Sequence, residues 1–142
     1  MDLHAFKQHL VWAEGEKLDL YKDSVGILTI GVGHNIEEKG ISKRVSRLML
    51  DDDILEVIAD TLRLEYWNKL DSVRQLIVAD MVFNLGVSRF LKFKKLNAAL
   101  QIGDYLLSAH EMKDSRWYRQ VGRRAEKLHA AMLSGEWTDA NE

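Results

Sequence analysis

Apolar positions along the first fourteen residues fall at helical spacing. Leu3, Phe6, Leu10 and Ala13 share one side of a helix that Asp2 can cap and Gly15 can stop, leaving Glu14 in the last turn. The period then changes. Leu18 to Tyr21 and Ile27 to Val32 are rich in β-formers, and Lys22-Asp23-Ser24-Val25-Gly26 between them predicts a hairpin with a loop longer than two residues. A short third strand is expected around Asn35–Glu38, before Gly40.

From Ser42 a helical pattern (Val45, Met49, Ile54, Val57, Ile58, Leu62) runs to about Leu64. At ~1.5 Å per residue it spans about 30 Å, enough to bridge two lobes. Asp51-Asp52-Asp53 in its middle offers a break by like-charge repulsion as the alternative. Leu76 to Leu85 is apolar nearly all round and predicts a central buried helix, with Gly86 as its stop. Shorter helices follow at about 94–101, 104–112 and 123–134, the last stopped by Gly135. There are no repeats, low-complexity tracts or linkers.

A chain of 142 residues is one domain of common size, and 46% hydrophobic with 30% charged residues marks it as globular rather than disordered. It has no cysteine, which excludes a disulfide framework and a thiolate metal site. Met1 to His9 lacks the basic start and apolar run of a signal peptide, and no segment approaches the ~20 apolar residues of a spanning helix. The expectation is a protein that does not leave the cytoplasm on its own signal.

The net charge of −2 hides an asymmetry. Residues 1–70 carry 9 Lys+Arg against 13 Asp+Glu (−4), and residues 71–142 carry 11 against 9 (+2). An anionic polymer is therefore drawn mainly to the C-terminal half, around Arg89, Lys92, Lys94, Lys95, Arg116, Arg119, Arg123 and Arg124, unless these are simply solvated helix faces.

Two carboxylates on separate elements that fold back on each other, Glu14 and Asp23, meet the needs of acid–base cleavage of a glycosidic bond. One carboxyl is protonated to assist the leaving oxygen, and the other is ionised to direct water or attack carbon. Taken singly, each has a plainer role: Glu14 as a surface residue at a helix end, Asp23 as a turn residue bonded to its own backbone. Thr29 by itself is a good β-former. Gly31 and Gly33 lack the third glycine of a dinucleotide fingerprint and fit bends or a close backbone approach instead. His34 forms no metal-ligand spacing with His4, His9, His110 or His129.

The string Glu14-Gly15, Leu18, Tyr21-Lys22-Asp23, Gly26 and Thr29-Ile30-Gly31-Val32-Gly33-His34 resembles the phage-type lysozymes (glycoside hydrolase family 24), the endolysins with which phages open bacteria. The resemblance continues through Leu70 to Gly86, Ser115-Arg116-Trp117-Tyr118, and Arg124 to Trp137. It implies Glu14 as general acid, Asp23 as the base that activates water, and Thr29 as a residue that helps hold that water, by an inverting mechanism. It further implies that Arg124 reaches back towards Glu14 and that His34 is structural, paired with Asp53, with Asp51 and Asp52 as competitors. Substrate contacts are expected at Asn35, Phe83, Asn84 and Gln120. Asn84 stands where relatives commonly carry glutamine, and two other family sugar-contact positions are here Leu96 and Glu111. Trp117 and Tyr118 read as core in preference to a sugar platform.

The fold so implied is α+β and lysozyme-like. Within one catalytic domain, 1–142, it has a small β lobe at about 15–41, a connecting helix at about 42–64, and a helical lobe at about 65–142 plus 1–14, with the site in the cleft between. The implied activity is hydrolysis of the β-1,4 bond between N-acetylmuramic acid and N-acetylglucosamine in peptidoglycan, without cofactor or metal. The implied partner is the glycan strand. A holin lesion would release a monomer from the host cytoplasm to the periplasmic wall, without nucleic acid or stable membrane association. The rivals are a lytic transglycosylase, which uses one acid and no activated water, and a non-catalytic wall-binding or virion module. The full Glu14/Asp23/Thr29 set speaks against both.

Overall fold

Asp2 caps the first helix. In the computed structural model, which describes residues 1–138 and leaves 139–142 of the expected domain outside, its carboxylate accepts the Ala5 N–H at 3.1 Å. The helix, α1 (Leu3–Glu14), ends at Gly15, whose N–H closes on Val11 O. Next come β1 (Lys17–Lys22), β2 (Leu28–Gly31) and β3 (His34–Asn35), an antiparallel sheet in the order β1-β2-β3. Tyr21 stands opposite Thr29, and Thr29 opposite Asn35.

The third strand is shorter and one residue earlier than the pattern predicts, because helix takes over at Ile36. In α2 (Ile36–Lys39), Asn35 accepts the Glu38 N–H at 3.0 Å, and Glu37 and Glu38 lie in the first turn, where the helix dipole favours negative charge. The following helix, α3 (Lys43–Thr61), runs unbroken through Asp51-Asp52-Asp53. All three aspartates are exposed, so water weakens their repulsion to about 1 kcal/mol per close pair.

The chain comprises two compact units, Met1–Met49 and Leu50–Glu142. The first holds α1, the sheet and α2, whereas the sequence reading groups residues 1–14 with the helical lobe. The boundary between units falls within α3.

The second unit holds a 3-10 turn (Trp67–Lys69) and six helices among the described residues. These are α4 (Ser72–Leu85), α5 (Val87–Phe90), α6 (Lys94–Gln101), α7 (Tyr105–Lys113), α8 (Arg116–Val121) and α9 (Arg123–Ser134). Asp71 caps α4 by accepting from Val73 and Arg74 N–H at 3.1 and 3.0 Å. Ile77, Val78, Met81 and Val82 point into a core with Phe90, Leu96, Leu100, Met112, Leu128 and Met132. The helix is thus buried on one face only; Leu76 and Phe83 are 48% and 44% exposed.

Arg74 ties α4 to α9. Its Nε and Nη2 donate to Met132 O at 3.1 and 2.6 Å, a cation on the carbonyls of a helix C-terminus. Burial by itself would raise the Asp71 carboxyl. The N–H groups and charge of Arg74, whose Nη1 lies 3.2 Å from Asp71 Oδ2, outweigh it and hold that carboxyl below the usual range.

Candidate active site

Glu14 is the last residue of α1, and its side chain lies over the backbone of Gly33, in the tight link between β2 and β3. A Cβ at Gly33 would stand 2.8 Å from Glu14 Oε2 and 3.0 Å from its Cδ. Gly33 also has φ +59°, a left-handed conformation that costs an L side chain strain. Two separate demands therefore require glycine here, and one of them is room for the Glu14 carboxylate. Of the two glycines, Gly33 is a site of close approach, whereas Gly31, at φ +68°, has nothing within 4 Å of a built Cβ.

Asp23 sits half-buried at the far end of the hairpin and fills its plainer role. Its Oδ1 accepts from Val25 N–H and Ile27 N–H, each at 2.9 Å, while its own N–H donates to Ile27 O at 2.9 Å. Among the described residues Oδ2 carries no hydrogen bond, so one carboxylate oxygen builds the loop and the other has no partner there.

Thr29 is 3% exposed, and its Oγ1 donates to the same Ile27 carbonyl at 2.8 Å. With its proton committed there, the hydroxyl presents lone pairs only and can accept from a third group. The peptide of Ile27 thus joins Asp23 and Thr29. Nothing in the sequence marked Ile27, because its part is played by backbone.

His34 bonds locally. Its Nε2 lies 2.7 Å from Gly40 O, and since a carbonyl only accepts, that nitrogen carries the proton. The contact closes the 34–40 segment over α2.

The expected substrate residues divide into two pairs. Asn35 is engaged in capping α2, with Nδ2 donating to Glu38 Oε2 at 2.9 Å. Asn-x-x-Glu at 35–38 is the capping signal that could have revealed this. Asn84 accepts the indole N–H of Trp117 at 3.0 Å, and Trp117 is 3% exposed, a core residue. Phe83 and Gln120 are exposed, as is Asn84.

Arg124 Nε donates to Asp80 Oδ1 at 2.8 Å, between α9 and α4. Both border a groove of about 370 Å³ walled by Ile54, Ile58, Leu76, Phe83 and Trp137. Asp80 was not anticipated: 44 positions separate it from Arg124, and no local pattern reports such a pair. Leu96 and Glu111 border a separate cavity of about 350 Å³ beside Lys92, Lys94, Lys95 and Arg116. Among the described residues no cluster of His, Cys, Asp or Glu has a metal-binding arrangement.

The sequence profile of the phage lysozyme family matches residues 12–131. A probable T4-type lysozyme 2 from Dictyostelium discoideum is 30% identical over 92% of this chain and 95% of its own length. The SAR-endolysin of Escherichia phage Mu is 33% identical over 86% of this chain and 71% of its own length. The pre-baseplate central spike protein Gp5 of Enterobacteria phage T4 is 26% identical over 86% of this chain but 26% of its own length. With the profile spanning most of the chain, this protein belongs to the phage lysozyme family and is a lysozyme, a glycoside hydrolase.

Proposed function

We propose that this lysozyme is a phage endolysin that cleaves the β-1,4 bond between N-acetylmuramic acid and N-acetylglucosamine in peptidoglycan, causing host cell lysis. Glu14 is the general acid, Asp23 the general base, and Thr29 the second anchor for water. The junction at Ile27 carries this reading. It leaves Asp23 Oδ2 and the lone pairs of Thr29 Oγ1 as acceptors at one end of β2, while Glu14 rests on Gly33 at the other.

A water that donates to both acceptors has its own lone pair directed away from them, towards the anomeric carbon. As it attacks, Asp23 takes one of its protons and Glu14 gives a proton to the departing oxygen. One C–O bond breaks, one forms, and the elements of water are added across the link. Membership of the family supports an inverting site, whose carboxyls stand roughly 6.5–9.5 Å apart with a water between, over a retaining site at roughly 5 Å.

Phe83 and Gln120, both exposed, are proposed glycan contacts, with Asn35 and Asn84 joining them if substrate displaces Glu38 and Trp117 as their partners. His34, with Asp53, and Arg124 are proposed supports of the site. Synthesis in the host cytoplasm, release through a holin-type lesion and action as a monomer on the periplasmic wall complete the proposal. Among the described residues no helix is long and apolar enough to cross a membrane.

The test is clearing of outer-membrane-stripped Gram-negative cells by the parent and by Glu14→Gln. The parent is expected to clear them, and the amide, which keeps the volume but cannot supply the proton, to lose ~10²–10⁴-fold. A folded Glu14→Gln protein that clears at the parent rate would overturn the assignment.

A further inference from the structure

A cavity of about 420 Å³ opens in the second unit, between the end of α3, the turn that follows it, α5 and α6. None of its lining residues belongs to the set assigned above. Its size falls within the ~300–1,000 Å³ of small-molecule pockets.

The cavity has a built floor. Tyr66, 4% exposed, donates its hydroxyl to Asn97 Oδ1. Asn97 Nδ2 in turn donates to Phe90 O and Phe93 O at 3.1 and 3.0 Å. Every polar atom of that floor is engaged, so it is rigid and offers shape rather than bonds. Burial also pushes the Tyr66 phenol up, so the hydroxyl stays neutral.

The rim is the opposite. The side chains of Asp60, Arg63, Glu65, Ser88 and Gln101 border the opening, and among the described residues none carries a hydrogen bond or ion pair. Leu64, Val87 and Leu91 supply apolar wall between them. Two carboxylates against one guanidinium make the opening slightly negative, which disfavours phosphate or carboxylate ligands. Carboxylates accept from hydroxyls, the guanidinium donates to them, and Ser88 and Gln101 can both give to and take from an acetamido group. The apolar wall suits the C–H face of a pyranose ring.

We propose that this cavity is a second glycan subsite that takes a neutral N-acetylated hexosamine unit of the wall polymer. The proposal rests on the functional reading above, which supplies a polymer of such units. A further foothold on the wall polymer raises the local concentration of substrate and needs little affinity of its own.

The test is an NMR titration of the Glu14→Gln protein with triacetylchitotriose, beside the same protein carrying Ser88→Ala and Gln101→Ala. Both added changes are at exposed positions, so the fold survives them. Saturable shifts at Asp60, Ser88, Leu91 and Gln101 amides are expected. In the doubly altered cavity, binding read from those amides should weaken about tenfold, the effect of losing hydrogen bonds of ordinary strength. No shifts at these amides, or equal affinity in the altered protein, would overturn the subsite. The amides of Asp23 and Gly33 report separately on the functional reading: their response with a silent cavity would reject the subsite alone, and silence at both places would speak against both.

Discussion

A single methyl group at position 33 tests whether the placement of Glu14 matters. Built on the Gly33 backbone, it would lie 2.8 Å from Glu14 Oε2, 3.0 Å from Cδ and 3.1 Å from Cγ. Unstrained contacts between carbon atoms need about 3.5–4.0 Å, so the whole end of the side chain must retreat by ~0.5–1 Å. Glu14 is exposed and can swing aside, which makes the retreat cheap in stability. The left-handed φ of +59° adds strain of its own, ~1–2 kcal/mol for an L residue. Gly103→Ala supplies the control, since Gly103 has φ +73° with nothing within 4 Å of a built Cβ. Both variants should stay folded against a typical stability of ~5–15 kcal/mol. A catalytic group misplaced by ~1 Å loses about 10²-fold in rate. Clearing rates of stripped cells, normalised by the folded fraction from urea melts, should therefore fall about 10²-fold for Gly33→Ala and hold for Gly103→Ala. Equal clearing by the two variants would refute the claim that Gly33 makes room for the acid.

Asp23→Asn and Asp23→Ala should separate the two duties of that carboxylate. Both lose activity, but only alanine removes the acceptor for Val25 and Ile27 N–H, so it alone should lower urea stability, by about 1–2 kcal/mol. The depressed Asp71 carboxyl contributes stability that is present above the unfolded pKa and is lost as pH falls through the folded one. Asp71→Asn should flatten that acid limb in pH-dependent melts, and an unchanged limb would reject the Arg74 linkage. Asn84→Ala should strand the buried Trp117 N–H and cost about 1–3 kcal/mol in melts. If stability is untouched, the Asn84 contact is not structural.

The elements that patterning located share a property: their signals are local. Asp2, Gly15, Gly86 and Gly135 mark their helix ends by chemistry confined to one turn, and the hairpin follows from its β-formers and its loop. Asn35 misled because its strand pairing and its capping compete within two residues, and the cap takes over at Ile36. The short helices α5 and α8, four and six residues long, have too few positions to display a period. For the site, the residue types in 14–33 could be read, and the bonds that hold them could not. That Asp23 Oδ1 accepts from both Val25 and Ile27 N–H, and that Ile27 O gathers the Asp23 N–H and the Thr29 hydroxyl, are facts of loop geometry. Asp80 was invisible because only tertiary structure brings α4 to α9.

The central claim is that a water activated by Asp23 and Thr29 adds to the glycosidic bond as Glu14 protonates it. Mass spectrometry of fragments released from purified sacculi in ¹⁸O-labelled water tests this most directly. The account predicts reducing-end N-acetylmuramic acid products, heavier than the uncut link by one water and carrying one ¹⁸O at the new hydroxyl. Unlabelled 1,6-anhydro products, lighter than the hydrolytic products by one water, would contradict it and assign the chemistry to a transglycosylase.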